Sequence, residues 1–269
     1  MNIQLNGIIS QNKLTGKVTN AVKVDESACE QARKEGYNIG YVEGESEGYS
    51  KGQADGIEQG KQAEYDEFWD LYQDSGKRTS YRYMFAGNGW NNETFKPKYN
   101  IISTNCQQMF TNSYIADLKA CLESCGVTLD TSKATNLTQA FAYCYKLITL
   151  PKIDLSSANN SGSTFHSSSV LKTIEELVVS EKTMFSTMFN NCTALENMIV
   201  TGTIAQNGFN VQWSTKLSKA SIESIINALS STTSGLTVTI SKTAKETAFT
   251  DDEWDSLITT KSNWTISLA

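Results

Sequence analysis

Three segments decide how this chain folds: AFAYCYKL at 140–147, TFHSSSVL at 164–171 and MFNNCTAL at 188–195. Laid over one another, they place Phe141, Phe165 and Phe189 24 residues apart, and likewise Leu147, Leu171 and Leu195, then Leu150, Ile174 and Met198. A looser column runs Ile153, Leu177, Thr201, and the small residue three places after each Phe is Cys144, Ser168 or Cys192. Apolar residues that return at one interval of about 20 to 29 residues mark a solenoid, in which each coil buries its apolar side only against the next coil. The nine residues of the three strict columns are the expected core.

Each copy has two halves. Between 137 and 147 the apolar positions 137, 140, 141, 144 and 147 fall three and four apart, which predicts one or two helical turns with a buried stripe. The following LITLPKIDL at 147–155 and LKTIEELVV at 171–179 place Leu, Ile and Val at threes and then twos, as a turn feeding a short strand would. Stacked, such strands make a narrow parallel sheet.

The motif at 140–147 and its two answers resemble the repeat of the BspA-like leucine-rich proteins, whose short form is AFxxCxxL. Two copies here keep the Cys and the middle one carries Ser168. With its flanking caps the resemblance covers residues 105–269, and it implies a leucine-rich-repeat solenoid. Repeats of this kind occur on bacterial surface adhesins and on proteins encoded by gut phages and prophages, so the resemblance speaks to fold rather than to function.

Toward the N-terminus, residues 105–131 hold a partial repeat with Met109-Phe110 in place of the repeat's Phe. Its step to Phe141 is 31, and an inserted helix from Ser113 to Cys125, closed by Gly126, takes up the difference. Residues 81–104 read as a loop-rich cap in which Tyr83, Phe85, Trp90, Phe95 and Tyr99 cover the open end of the core. Before them, Tyr65, Phe68, Trp69 and Tyr72 share one face of a helix ended by Ser75-Gly76; a docked core face fits them better than a sugar-stacking one.

Further upstream a small residue stands at every fourth place: Ala28, Ala32, Gly36, Gly40, Gly44, Gly48, Gly52, Gly56 and Gly60. Interior glycines cost a lone helix about 1 kcal/mol each relative to Ala. Close contact with another backbone along the small-residue groove is what offsets such a cost. Tyr37, Tyr41 and Tyr49, each beside a glycine, would flank the seam, and the four-residue step calls for right-handed winding of the partners. The alternative is a flexible linker, which rarely keeps a strict period. Residues 28–64 resemble the serial GxxxG helices of a cytosolic iron–sulfur adaptor family and of a flagellar export regulator; that resemblance implies helix pairing only. The opening residues alternate β-branched side chains and Leu with Asn-Gly and Thr-Gly turn formers, and predict a small hairpin or meander that a neighbouring subunit completes.

Toward the C-terminus, residues 217–229 form an amphipathic helix with Ser218 as N-cap, Leu236 to Ile240 a strand, Asp251 to Thr259 a helix and Trp264 to Leu268 a last strand. This unit resembles the terminal cap behind BspA-like repeats in phage-encoded proteins.

The balance of the 269 residues bounds the function. Apolar residues make up 39% and charged ones 19%, so Ser, Thr, Asn, Gln and Gly dominate the surface. A net charge of -6 argues against nucleic acid or an anionic membrane as partner. The opening MNIQLNGIISQNKLTGKVTN lacks a basic start and a continuous apolar run, which predicts release into the cytoplasm. The six cysteines have neither disulfide-framework nor zinc spacing and read as small core residues; Cys121 and Cys125 stand i, i+4 but lack two further ligands. His166, the one histidine, has no nucleophile pattern beside it and reads as a surface residue. No catalytic, metal or cofactor-binding residue is expected, and no enzyme activity.

The expectation is therefore an α+β chain in five parts: a small β segment (1–26), a glycine-repeat oligomerisation helix (27–75), an N-terminal cap (76–104), leucine-rich repeats (105–212) and a C-terminal cap (213–269). Anchor, stalk and head suggest a phage virion component such as a tail or head fibre or receptor-binding protein. Its partners would be its own copies as dimer or trimer, other virion proteins at the N-terminus, and a host surface protein or glycan. The alternatives are a bacterial surface or secreted adhesin, or an intracellular adaptor pairing through the glycine helix. Trp90 and Trp213 are the candidate contact aromatics.

Overall fold

The computed structural model describes residues 78–269. The β segment at 1–26 and the glycine helix, with Ala28, Ala32, the glycines from Gly36 to Gly60, and Tyr37, Tyr41 and Tyr49, lie outside the described residues.

The phenylalanines set the geometry. Phe110 lies 5.4 Å from Phe141 at 10° between ring planes, Phe141 5.9 Å from Phe165 at 13°, and Phe165 5.5 Å from Phe189 at 18°. Such near-parallel rings require the backbone to return to the same place in every coil. One apolar cluster runs unbroken from Tyr81 to Trp264 around this column.

On one side of the coils the chain is extended. Strands β1 (Ile101–Ile102) and β2 (Leu129–Asp130) pair in parallel. Farther along, β3 (Thr149–Leu150) and β4 (Ile153–Asp154) both pair in parallel with β5 (Thr173–Val179) at a register of 24, Thr149 with Thr173 and Ile153 with Leu177. Pro151, which has no N–H to give a ladder, falls in the gap between β3 and β4. Strand β6 (Asn197–Gly202) continues the sheet, with Ile174 opposite Met198, but then slips: Leu177 pairs with Val200. The column expected to run through Thr201 therefore runs through buried Val200, because a bulge puts Glu175 and Glu176 opposite the single Ile199.

On the other side, the helical turns expected between 137 and 147 are absent. The apolar spacing did identify the buried side chains: Leu137, Ala140, Phe141, Cys144 and Leu147 are all buried. The backbone, however, has positive φ at Gln139 and Tyr143, as at Gln108 and Asn112, Ser163 and Ser167, and Thr187 and Asn191. A left-handed residue at every fourth position breaks any helix. In its place, alternate amides close tight turns, Ala140 N–H to Leu137 O at 3.0 Å and Ala142 N–H to Gln139 O at 3.2 Å. The amides between them cross to the next coil: Leu137 N–H to Asn160 O at 2.7 Å, Gln139 to Gly162 at 3.1 Å, Phe141 to Thr164 at 2.8 Å and Tyr143 to His166 at 2.8 Å. The same crossing bonds run from residues 106, 108, 110 and 112 to 136, 138, 140 and 142, and from 163, 165 and 167 to 186, 188 and 190. The turn side is thus a second hydrogen-bonded ladder that runs from coil to coil.

That ladder begins earlier than expected. Tyr81, Tyr83, Phe85 and Gly87 donate their amides to Asn105, Gln107, Met109 and Thr111, and Phe85 stacks 5.1 Å from Phe110. Residues 81–87, read as a loop-rich cap, are a coil of the stack. The inserted helix is also shorter: α1 is Leu118–Ser124, because the Asp117 carboxylate caps it by accepting from Ala120 N–H at 2.9 Å, and residues before Asp117 continue the coil. Gly126, at φ 66°, ends it, with Val127 N–H on Leu122 O and Gly126 N–H on Glu123 O.

The C-terminal end closes the strand ladder. Helix α2 (Lys219–Ala228) begins at Ser218, whose hydroxyl accepts from Ser221 N–H, and it buries Ile222, Ile225 and Ile226. Its Ser221 and Ser224 hydroxyls accept the edge amides of β6, from Met198 at 2.9 Å and Val200 at 3.0 Å. A sheet edge is thereby covered by side chains that stand in for another strand. Strand β7 (Leu236–Ile240) pairs in parallel with β8 (Trp264–Leu268) through α3 (Lys242–Ala248), which had no sequence expectation, and α4 (Asp251–Thr259). Helix α4 carries a full capping box between Thr250 and Glu253.

Candidate functional site

The nine expected core residues are interior: Phe141, Leu147, Leu150, Phe165, Leu171, Ile174, Phe189, Leu195 and Met198 all have 2% or less of their surface exposed. They position the surface and do not form it.

Beside them lies a column with a specific hydrogen-bonding task. The Cys144 thiol lies 3.0 Å from Phe110 O, the Ser168 hydroxyl 2.6 Å from Phe141 O, and the Cys192 thiol 3.1 Å from Phe165 O. Each donates to the phenylalanine carbonyl of the preceding coil, so Ser168 does with an O–H what its neighbours do with S–H. Burial pushes the Cys144 thiol up to about 11 and the Cys192 thiol up to about 12, which keeps both protonated and able to donate. Cys106 is raised to about 11 by burial as well. Cys121 is buried on α1 and Cys125 is its C-cap. Among the described residues, no three His, Cys, Asp or Glu side chains gather as a metal would require, and no helix is long and apolar enough to cross a membrane.

The two outer faces differ in charge. The strand face carries cross-coil ion pairs: Lys119 with Glu175, Lys152 with Glu176 at 3.0 Å and Lys172 with Glu196 at 4.0 Å. Hydrogen bonds from Thr201 and then Lys152 hold the Glu176 carboxyl below its usual range. An open depression of about 340 Å³ crosses this side over Asp130, Thr131, Ser132, Lys152 and Asp154. The turn face is different: segments 106–114, 137–145, 161–169 and 185–193 contain no Asp, Glu, Lys or Arg.

On the turn face the exposed aromatic side chains cluster. Tyr145 is 50% exposed and Tyr114, at the same place one coil earlier, 45%. Tyr143 is half-buried; its ring lies 6.4 Å from Tyr145 at 58° and 5.3 Å, edge to face, from His166. His166 is half-buried too, where a fully surface residue was expected, and its Nδ1 is enclosed without a hydrogen-bond partner. Of the two tryptophans expected as contact residues, Trp90 packs edge-on against Phe85 at 5.5 Å and belongs to the core margin, while Trp213 is 47% exposed. The tyrosine cluster had a readable signal: Tyr143 stands in a column whose other members are Gly87, Asn112, Ser167 and Asn191. The extra coil had one also, since Met84-Phe85 repeats the Met-Phe pair of 109–110 and 188–189.

Compared with protein-family models, curated proteins and solved structures, the chain matches none.

Proposed function

We propose that this chain is a non-enzymatic structural and binding protein, a phage virion component in which a short leucine-rich-repeat solenoid of the BspA-like kind is displayed as a head on a stalk paired through the glycine helix. The observation that carries the binding half is the turn-side ladder. It fixes a row of exposed side chains on a backbone bonded coil to coil, so the surface is rigid before a partner arrives and little ordering entropy opposes binding. The fold half is supported by the 24-residue register of β3, β4 and β5 and by the phenylalanine stack. The virion assignment rests on the repeat motif, on the polar uncharged composition and on the small-residue period from Ala28 to Gly60.

Peptide mass spectrometry on gradient-purified particles from the source tests this reading. The expected result is the chain at the abundance of a structural component. Its recovery in the cell envelope alone would replace the virion role with that of a surface adhesin, and its recovery in cytosol alone with that of an adaptor.

A further inference from the structure

We infer that the turn-face cluster of Tyr143, Tyr145 and His166, with Tyr114 and Asn112 on the preceding coil, is a binding site for a neutral saccharide. This deepens the binding role proposed above and rests on it. The first observation is an exception within a column. The position two residues after each phenylalanine has a left-handed backbone, with φ 94° at Gly87, 60° at Asn112, 58° at Tyr143, 58° at Ser167 and 61° at Asn191. Gly and Asn suit that conformation, whereas a bulky side chain there costs about 1–2 kcal/mol. Tyr143 is held in it nonetheless, half-buried, with its ring 6.4 Å from that of exposed Tyr145. Tyr83, at φ 57° in the column two places before each phenylalanine, is held the same way, so what distinguishes Tyr143 is the ring cluster that it joins with Tyr145 and His166.

The second observation is the chemistry around it. Tyr145 occupies a column that becomes Ser169 and Thr193 in later coils, so the rings give way to hydroxyls and amides along the face. Tyrosine rings present flat apolar faces to the C–H side of a pyranose, and Asn, Ser and Tyr groups both donate and accept, as sugar hydroxyls do. Apart from exposed Lys146 beside Tyr145 and Arg82 in the first coil, the turn face carries no formal charge while the strand face is laced with ion pairs, which favours a ligand without charge of its own. A protein partner of ordinary affinity needs about 800 Å² on each side and apolar anchors seated in pockets. Here the positions around the rings are Gln, Asn, Ser and Thr rather than aliphatic. His166 braces the edge of Tyr143 at 5.3 Å and fixes the angle between the two tyrosines.

The test uses the full chain against immobilised neutral tri- to pentasaccharides of glucose, galactose, mannose and N-acetylglucosamine, with saturation-transfer NMR on those that bind. Tyr143→Asn and Tyr145→Ser install residues the same columns already hold, so neither variant should melt below the parent. The expected result is binding of at least one saccharide, weakened about tenfold by either substitution and lost in the double variant. No binding to any saccharide overturns the saccharide assignment, and unchanged binding by the double variant overturns the site. Binding to an enzymatically deglycosylated host-envelope protein, abolished by the double variant while no saccharide binds, overturns the saccharide assignment and leaves the binding role intact. Detection of the chain in particles is independent of all three results, so the two readings fail separately.

Discussion

Three residues past Phe165, the Ser168 hydroxyl serves two buried backbone groups at once, donating to Phe141 O and accepting from Cys144 N–H. Because the carbonyls that Cys144 and Cys192 bond also accept the Ser113 and Ser168 amides, Cys144→Ser and Cys144→Val should each change stability by less than about 1 kcal/mol, whereas Ser168→Val, which takes the hydroxyl away from Phe141 O and from the Cys144 amide, should cost about 1–3 kcal/mol. Urea denaturation of the three variants checks this; a loss for Ser168→Val no larger than that for Cys144→Val would mean that the hydroxyl only fills volume. From sequence, Ser168 reads as a departure from the repeat, since spacing reveals size and burial but not which atom donates to which. Gly202 is a harder constraint. It has φ 90°, and a Cβ there would meet Val179 O at 1.9 Å, so Gly202→Ala should destabilise by about 2–4 kcal/mol through displaced backbone at the β5–β6 pair. A melting temperature equal to the parent's would contradict that close approach.

Among the elements, the turn side is where sequence reading and structure part. Apolar residues three and four apart predict a helix, and the same spacing arises when successive tight turns alternate with cross-coil bonds, because both geometries return a side chain to one face after three or four residues. What separates them is the sign of φ, which Gly and Asn announce and which Gln139 and Tyr143 conceal. The strands were legible because Leu, Ile and Val alternate along them, but the one-residue slip at Leu177 was not, since Val200 and Thr201 are both β-branched and either suits a strand. Helix α4 spans the expected Asp251 to Thr259, with an acidic first turn. Its electrostatics carry a pH dependence. The Lys245 ammonium holds the Asp251 carboxyl below the usual range, and the Lys219 ammonium, then the Thr250 amide, do so for Glu253. Folded values below the unfolded ones mean that this contribution is present above the ordinary carboxylate range, about pH 4, and fades as pH falls through the lowered values. Both carboxylates are exposed, so the effect is small and screened by salt. Carbon-detected NMR titration should place both midpoints below those of unpaired Asp and Glu, and Lys219→Ala should return Glu253 upward; unshifted midpoints would remove the ion pairs from the account.

At the scale of the molecule, stability divides along the stack. Each coil touches only its neighbours, so residues 81–87 at one end and α2 at the other guard the interior, Ser221 and Ser224 by completing the edge of β6. The far end was recognisable from its helix and strand patterns. The near coil was hidden because its aromatic residues, read singly, look like a cover, and only the Met-Phe pair ties them to the repeat. The proposed stalk makes a prediction of its own: light scattering should give a dimer or trimer for the full chain and a monomer for a chain starting at residue 77. One mass for both, that of a monomer, would remove pairing through the glycine helix. The central structural claim is that the turn side is a bonded ladder and not a series of loops, and site-resolved amide hydrogen exchange on the full chain addresses it most directly. The amides of Gln139, Phe141 and Tyr143, with those of Ser163, Phe165 and Ser167, should be protected nearly as strongly as the interior strand β5, with protection falling toward both ends of the stack. Exchange at these amides as fast as in exposed turns, while β5 remains protected, would contradict it.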